Sequence, residues 1–309
     1  MTIVFSHPAC LEHNMGEGHP ERPARMDAVE RALQREGFAG RLVRRDAERA
    51  AFDCIGLMHP QKYIDQIVAS VPSSGVTRLD ADTCLSPGSL EAALRAVGAA
   101  CSAVDAVVLG ESKNAFCAVR PPGHHAETNQ AMGFCIFNTV AIAAAYARRR
   151  YGVERVAVID FDVHHGNGTQ EMFWSDQKLF FASTHQMPLY PGTGSKSERG
   201  EFDNIVNCPL IAGDGSSEFR TAITDIILPG VATFQPDLLL VSAGFDAHMN
   251  DPLAGLNLQD SDYAWVTKQL LEVADKFTNG RLISTLEGGY DLLALTSSVA
   301  SHVEELVQA

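Results

Sequence analysis

Residues 156–168 read VAVIDFDVHHGNG, an apolar run that passes directly into acidic and histidine side chains. Consecutive apolar residues at 156–159 are typical of a strand buried on both faces of a parallel sheet. Because side chains alternate along an extended segment, Asp160, Asp162 and His164 should point to the same side. The stretch therefore predicts a parallel sheet with half of a metal site where one strand ends. Alone, it is equally compatible with a loop whose carboxylates cap the next helix and whose histidines are solvated.

The composition narrows the class of protein. The chain has 309 residues, of which 46% are hydrophobic and 20% charged, which is enough apolar content for a sizeable core. The formal net charge of −14 disfavours nucleic-acid binding, because phosphate-binding surfaces need clustered Lys and Arg. The first residues show no signal-peptide pattern, and no apolar run approaches the ~20 residues that span a bilayer. We therefore expect a cytoplasmic protein with neither nucleic acid nor membrane as a partner.

Short apolar runs alternate with helical patterns, which predicts an α/β fold: a central, mainly parallel sheet flanked by helices on both faces. No repeat or linker interrupts the pattern, so residues 1–309 are predicted to form a single domain. The expected strands are 3–7, 115–119, 156–160, 179–183, 238–242 and 282–286. The expected helices are 23–36, 89–109, 138–150, 218–234 and 261–276, with Ser89 and Asn138 as N-caps and Gly110 and Gly152 after C-termini. Loops are expected at 7–20, 71–88 and 186–204, and long loops of this kind usually build the site.

Polar residues follow four of the predicted strands at the end where parallel sheets bind ligands. Among them, Asp162, His164 and Asp246 provide two carboxylates and one imidazole, which leaves coordination positions open, as in a catalytic metal site. This mixed ligand set suits Zn²⁺, Fe²⁺ or Co²⁺. Such an ion lowers the pKa of its bound water toward ~7 and polarises a carbonyl, so the pattern indicates hydrolysis. The polar segments that follow the four strands are 120–125, 160–164, 243–248 and 287–291.

Two neighbouring histidines and a tyrosine could supply the remaining chemistry. His124 and His125 can transfer protons, and Asp160 and Asn167 are the natural residues to orient them. If each backs one histidine, the Asp-backed imidazole should be the more basic of the two. Tyr290 follows a Gly-Gly pair and can hydrogen-bond a developing oxyanion. Taken singly, the histidine pair is also compatible with a surface loop, and Tyr290 with a core aromatic.

Five ordered motifs together resemble the histone deacetylase superfamily. They are RPPGHH at 120–125, GFCIFN at 133–138, DxDxHHGNG at 160–168, SAGFD at 242–246 and EGGY at 287–290. The resemblance begins at HPERP, 19–23, and so covers most of the chain. Asn167, Phe137 and Glu287 look more similar to the class II branch, and the short chain looks like its bacterial members, including acetylpolyamine amidohydrolases. The resemblance implies an arginase-like α/β fold and a Zn²⁺-dependent deacetylase.

The resemblance also implies roles for individual residues. The metal ligands would be Asp162, His164 and Asp246; the general base and electrostatic groups His124 and His125; and the carbonyl-polarising hydroxyl that of Tyr290. Gly133 and Phe134 would line a narrow acyl-lysine tunnel opposite Tyr190, where phenylalanine is more usual, although Phe134 could instead belong to the core. Arg25, rather than Arg22, would lie beside an internal product cavity unless the helix simply carries solvated charges. A structural K⁺ near Asp160, Asp162, His164 and Ser183 is implied by similarity alone.

The substrate follows less directly from the sequence. Leu253 stands where polyamine-specific relatives carry a glutamate that recognises a cationic amine, and a leucine cannot pair with a charge. We therefore expect an N-acyl-lysine or another amide with an apolar linker. An acetylpolyamine remains an alternative because the chain is acidic, and a xenobiotic amide or ester is also compatible. The length of acyl group that the site accepts depends on the cavity volume, which cannot be derived from the sequence.

Two other classes of function fit the sequence less well. A binuclear ureohydrolase of the arginase type would need a carboxylate near Asn167 and gives Tyr290 no role. A non-catalytic acyl-lysine reader would have lost a reactive group, whereas all the candidate groups are present. A homo-oligomer is compatible with the loops at 71–88 and 186–204, which can either pack against a second copy or rim the pocket.

Overall fold

An eight-stranded parallel sheet forms the centre of the structure, a computed structural model that describes residues 1–38 and 40–309. The strands are β1 (Thr2–Ser6), β2 (Leu42–Asp46), β3 (Thr77–Arg78), β4 (Cys84–Leu85), β5 (Asn114–Cys117), β6 (Val156–Asp160), β7 (Leu179–Gln186), β8 (Ile205–Leu210), β9 (Leu238–Ala243) and β10 (Leu282–Leu286). The sheet has the order β2-β1-β5-β10-β9-β6-β7-β8, and each neighbouring pair is parallel. The short strands β3 and β4 form a separate antiparallel pair.

Helices cover both faces of the sheet. They are α1 (Ala24–Leu33), α2 (Phe52–Ile55), α3 (Gln61–Ser70), α4 (Ser89–Val108), α5 (Thr139–Tyr151), α6 (Asn167–Phe173), α7 (Ser216–Ala222), α8 (Leu228–Phe234), α9 (Asp260–Phe277) and α10 (Leu292–Gln308). Because successive side chains of a strand point to opposite faces of the sheet, each central strand contributes to two hydrophobic cores. In β6, Ala157 and Ile159 pack with α1, α9 and α10, whereas Val156 and Val158 pack with α4 and α5. The predicted fold, a parallel sheet between two helical layers, is confirmed.

The central strands agree best with the sequence prediction. Strands β6 and β10 span the predicted residues 156–160 and 282–286, and β1, β5, β7 and β9 differ from prediction by one to three residues at their ends. The edge strands β2 and β8 were not predicted, and the segment 71–88, predicted as a loop, contains the short strands β3 and β4. Strand β2, LVRRD, is largely exposed, and β8 contains Pro209, so neither presents the apolar run of a fully buried strand.

The helix boundaries confirm most of the predicted caps. The Asn138 side chain accepts a hydrogen bond from the first turn of α5, and Gly152 ends that helix with a φ of 66°. Gly110, with a φ of 79°, follows α4. The prediction that Ser89 is an N-cap is wrong, because Ser89 is already the first residue of α4 and Gly88 precedes it. The Ser89 hydroxyl instead accepts from a backbone N–H three residues earlier.

The predicted helix at 218–234 is not continuous. A π-helical segment, Ile223–Ile227, separates α7 from α8. Pro229, in the first turn of α8, lacks the N–H that would continue regular α-helical bonding, and the backbone widens just before it. Helices α2, α3, α6 and α10 were not predicted. In α10 the buried polar residues Ser298 and His302 interrupt the apolar stripe that marks an amphipathic helix.

The topology brings the polar strand ends together. The four strands that precede polar segments, β5, β10, β9 and β6, are consecutive neighbours in the sheet. Because all four are parallel, their carboxyl ends open on the same edge. Among the described residues, 1–38 and 40–309, we find no helix that combines the length and apolar character needed to cross a membrane.

Candidate active site

Three buried side chains meet beyond β6 and β9. The Nδ1 atom of His164 lies 3.2 Å from Oδ1 of Asp162 and 3.1 Å from Oδ2 of Asp246. One potential ligand atom from each residue lies within 4.8 Å of the others, and all three side chains are buried. The structure thus brings the three predicted metal ligands together, although they are separated by as many as 84 positions in the chain, from Asp162 to Asp246.

Backbone amides fix the orientation of both carboxylates. The N–H of Val163 donates to Oδ1 of Asp246 at 2.8 Å, and the N–H of Gly288 donates to Oδ2 of Asp162, also at 2.8 Å. The remaining oxygen of each carboxylate faces His164. A Cβ atom at Gly288 would lie 2.2 Å from a carboxylate oxygen of Asp246, so only glycine fits there.

The electrostatics of this cluster favour a cation. Burial disfavours a charged imidazole, yet hydrogen bonds to the two carboxylates outweigh burial and raise the pKa of His164 to about 10. Burial, followed by the charge of Asp162, raises the pKa of Asp246 to about 7. Two carboxylates at this depth therefore need a positive charge between them. Their two oxygens and one imidazole nitrogen fit a divalent ion such as Zn²⁺.

The two neighbouring histidines have different partners. Nδ1 of His124 lies 2.9 Å from Oδ2 of Asp160, and Nδ1 of His125 lies 2.8 Å from Oδ1 of Asn167. Burial opposes a charge on both rings. The Asp160 carboxylate outweighs that effect and raises the pKa of His124 well above its ordinary value. Burial, together with the charge of His124, lowers the pKa of His125 well below it. The arrangement thus separates a basic imidazole from a neutral one.

The buried glutamate Glu287 holds the histidine loop, a role that the sequence does not predict. Oε2 of Glu287 accepts from the N–H of Gly123 at 2.6 Å and from that of His124 at 3.2 Å. Its Oε1 accepts from the hydroxyl of Ser242 at 3.2 Å. Burial raises the pKa of Glu287 to about 7. Its position at the end of β10, next to a Gly-Gly pair, was the available signal.

Tyr290 faces the pocket from a loop that is fixed on two sides. Its N–H donates to Oδ2 of Asp251 at 2.7 Å. On the other side, the fully buried Arg25 donates from Nε to the carbonyl of Gly289 at 2.7 Å and forms an ion pair with Glu21. Burial raises the pKa of the Tyr290 hydroxyl well above its ordinary value, so the group remains a hydrogen-bond donor.

Arg25 and Arg22 have different environments. Arg25 is fully buried, so α1 does not simply carry solvated charges at this position, whereas Arg22 is exposed. The Arg25 guanidinium stacks behind Tyr290 and also donates to the carbonyl of Glu287. The product cavity implied by resemblance stays a prediction.

A cavity of about 230 Å³ leads to the cluster. Phe134 in its wall has a φ of 69°, a left-handed conformation that is strained for an aromatic residue. Its N–H donates to the hydroxyl of Thr83 at 3.0 Å, which helps to hold it there. Gly133 allows a close approach, since a Cβ atom there would lie 2.4 Å from the His125 ring. The lining residues are Asp82, His125, Gly133, Phe134, His164, Leu189, Tyr190, Leu253 and Tyr290.

The predicted tunnel residues therefore lie around one cavity. Tyr190 is 37% exposed, and its ring packs edge to face with that of His125 at 5.2 Å. Leu253 is partly buried, and its N–H donates to Oδ1 of Asp251 at 3.0 Å. Asp82 and Leu189 were not predicted, because they belong to loops without a periodic pattern or a metal-ligand motif.

The residues that resemblance assigns to a K⁺ site are also close. Asp160 on β6 and Ser183 on β7 are direct partners in the parallel ladder, and both are fully buried. The Ser183 hydroxyl lies 2.9 Å from Nδ1 of His185, and Oδ1 of Asp160 accepts from the N–H of Asp162 at 3.1 Å.

The chain is similar in sequence to known proteins over most of its length. Residues 19–306 match the family described as the histone deacetylase domain. An uncharacterized protein of Synechocystis sp. is 43% identical over 99% of this chain and 100% of its own length. Histone deacetylase 14, chloroplastic, of Arabidopsis thaliana is 38% identical, over 99% and 76% respectively. The histone deacetylase-like amidohydrolase of Pseudomonas aeruginosa is 37% identical, over 94% and 77%.

The solved HD domain of HDA15 has the same architecture, with a TM-score of 0.94 and 32% identity over 99% of this chain and 88% of that one. The parallel sheet and this match define the arginase/deacetylase fold. The chain belongs to the histone deacetylase family. Membership supports a deacetylase, and hence a hydrolase that acts on acylated substrates.

Proposed function

We propose that this chain is a metal-dependent amidohydrolase that removes an acetyl or another acyl group from an N-acyl-lysine side chain. The observation that carries the proposal is one cavity that is lined by His164 of the acidic cluster, His125 and Tyr290. A metal ligand, a neutral imidazole and a phenol hydroxyl can together supply the bound metal, the general base and the oxyanion donor for amide hydrolysis by an activated water.

The metal would be held by Asp162, His164 and Asp246, with Zn²⁺ as the expected ion and Fe²⁺ or Co²⁺ as compatible ones. When bound, such an ion would polarise the acyl carbonyl and make the attacking water more acidic. A structural K⁺ beside Asp160 and Ser183 is proposed by similarity, and the ladder pairing of these two residues supports it.

The two histidines would divide the proton chemistry. His125 lines the cavity, and its neutral partner Asn167 adds no charge, so its ring can accept a proton from water as a general base. His124, backed by the Asp160 carboxylate, would carry a positive charge and stabilise the developing negative charge. The Tyr290 hydroxyl, which stays protonated, would donate a hydrogen bond to the carbonyl oxygen.

The cavity walls support an apolar linker in the substrate. Phe134, Tyr190 and Leu253 present apolar surface, and such walls suit the methylene chain of an acyl-lysine. One observation favours a second candidate, an acetylpolyamine: the Asp82 carboxylate also lines the cavity and could attract a cationic amine.

Acetate release decides between these substrates. The Zn²⁺-loaded protein is incubated with an acetyl-lysine peptide, acetylputrescine and acetylspermidine, each with and without a chelator. We expect chelator-sensitive release from the peptide. A preference for the polyamines would reject the interpretation of Leu253, and release that a chelator does not affect would reject the metal mechanism.

A further inference from the structure

The Asn167 amide lies between a histidine and a carboxylate. Its Oδ1 is 2.8 Å from Nδ1 of His125, while its Nδ2 donates to Oε1 of Glu127 at 2.7 Å and to Sδ of Met132 at 3.4 Å. Both partners of Nδ2 can only accept a hydrogen bond in this contact. The NH₂ end of the amide must therefore face Glu127, and the oxygen must face His125.

The direction of this amide determines which ring nitrogen of His125 carries the proton. A neutral imidazole has one N–H and one bare nitrogen. With Oδ1 of Asn167 facing Nδ1, that nitrogen must be the donor, and Nε2 keeps its lone pair. If the amide turned over, its NH₂ would face Nδ1 and the proton would move to Nε2, which could then no longer act as a base.

We propose that Glu127 is a positioning residue that, through Asn167, holds His125 in the tautomer with Nε2 free to accept a proton. This inference rests on the proposed function, in which His125 is the general base. The neighbouring pair, His124 and Asp160, needs no such positioning residue. Both oxygens of the Asp160 carboxylate are acceptors, so His124 meets an acceptor however that side chain turns.

The backbone around Glu127 is fixed well enough for this role. The carbonyl of Ala126 accepts from Nδ2 of Asn138 at 3.2 Å, and a Cβ atom at Gly168 would lie 2.2 Å from that carbonyl, so α6 approaches the turn as closely as glycine allows. The N–H of Thr128 donates to Oε2 of Glu171 on α6 at 2.8 Å. Contacts on both sides of Glu127 thus keep its carboxylate within reach of Asn167.

The first test compares variants in a kinetic assay of the Zn²⁺-loaded enzyme. Glu127→Ala should lower kcat by up to roughly tenfold, since losing a hydrogen bond to a charged group shifts the orientation equilibrium of the amide by about that factor. KM and metal content should not change. Glu127→Gln keeps an acceptor oxygen and should retain most of the activity. Glu304→Ala removes an exposed carboxylate of α10 that has no part in these contacts and serves as the matched control.

Glu127→Ala in a second variant enzyme distinguishes a positioning role of Glu127 from general support of the loop. An Asn167→Asp enzyme has no NH₂ end to orient, so adding Glu127→Ala should cost no further activity there, and it also removes a carboxylate that would repel the introduced aspartate at a distance of 2.7 Å. If Glu127→Ala lowers kcat equally in both backgrounds, Glu127 merely supports the loop and the proposal is wrong.

The tautomer can be measured without an activity assay. Long-range ¹H–¹⁵N spectra of the histidine-labelled, Zn²⁺-loaded protein report which ring nitrogen is bare, and His125→Phe identifies the signals of interest. The intact protein should show Nε2 of His125 bare, and Glu127→Ala should show a mixture of tautomers. An unchanged tautomer in Glu127→Ala overturns the proposal. If the intact protein cleaves no substrate, the proposed function fails, and the spectra still decide the role of Glu127.

Discussion

The guanidinium of Arg25 lies 5.1 Å from the centroid of the Tyr290 ring. The two residues are 265 positions apart, and Arg25 also donates to the carbonyl of Gly289. A charged, fully buried side chain of α1 therefore supports the loop that carries the phenol from behind. Asp251 holds the same loop through the N–H of Tyr290. The hydroxyl position is thus set by two buried charged groups of opposite sign, which suits a hydrogen-bond donor that must already be in place when charge develops.

Replacing Tyr290 by phenylalanine tests that donor. Tyr290→Phe should lower kcat by ~10²-fold or more, as the loss of one oxyanion donor does. The ring and its packing against Arg25 and Phe134 are retained, so thermal stability and metal content should not change. Turnover and bound zinc are measured on the same preparation, and near-normal turnover would remove Tyr290 from the mechanism.

Removing one carboxylate of the acidic cluster tests the metal site itself. Asp246→Ala deletes an oxygen that lies 3.1 Å from His164 and should lower zinc occupancy, measured by elemental analysis after dialysis. The other ligands alone should not retain the ion against a weak chelator. Asp260→Ala, a change of an aspartate outside the cluster at the start of α9, is the matched control. Full zinc content in Asp246→Ala would reject the proposed ligand set.

Burial explains which elements the sequence could predict. Strands β6 and β10 are buried on both faces, so every residue except the terminal Asp160 is apolar or small and the run stands out from its surroundings. Strand β2 is exposed along most of its length, and its arginines interrupt the apolar run by which a strand could be predicted. The difference follows from position in the sheet, because an edge strand does not need to be apolar on both faces.

The candidate site also contains residues that the sequence could predict and residues that it could not. Asp162, His164, Asp246 and Tyr290 directly follow central strands, so their convergence could be read from strand order and polarity. Asp82 and Glu127 reach the same region from loops. No periodicity relates a loop residue to a distant side chain, and only the three-dimensional path of the chain shows these contacts.

A buried histidine remote from the cluster should make stability depend on pH. The His302 ring bonds to the hydroxyls of Thr267 at 2.6 Å and Ser284 at 2.8 Å, and burial lowers its pKa to about 3. The unfolded chain takes up this proton near pH 6.5, whereas the folded protein does so only near pH 3. The contribution of His302 to the free energy of unfolding should therefore be fully present above pH 6.5 and be lost as the pH decreases toward 3. By the linkage relation, the loss is on the order of several kcal/mol.

Urea unfolding at a series of pH values measures this effect. His302→Gln cannot take up the proton in either state, so its free energy of unfolding should decrease less between pH 6.5 and 4 than that of the unchanged protein. Equal slopes for the two proteins would show that His302 does not cause the acid sensitivity.

A glutamate at Leu253 should change the choice of substrate. Leu253 lines the cavity next to Tyr290, and its N–H is fixed by Asp251, so a longer acidic side chain there would present its charge to the substrate path. Leu253→Glu should raise kcat/KM for acetylspermidine relative to an acetyl-lysine peptide by about tenfold, the factor that roughly 1.4 kcal/mol of added attraction provides.

The neutral variant Leu253→Gln isolates the charge from the change of shape. It should leave the ratio of the two kcat/KM values near that of the unchanged protein, because an amide cannot pair with an ammonium group through a full charge. Added salt should reduce the gain in Leu253→Glu, since a charge near the mouth of the cavity is partly screened. If both variants shift the ratio equally, or if the gain does not depend on salt, the wall at Leu253 selects substrates by shape, and Asp82 becomes the charged group to test next.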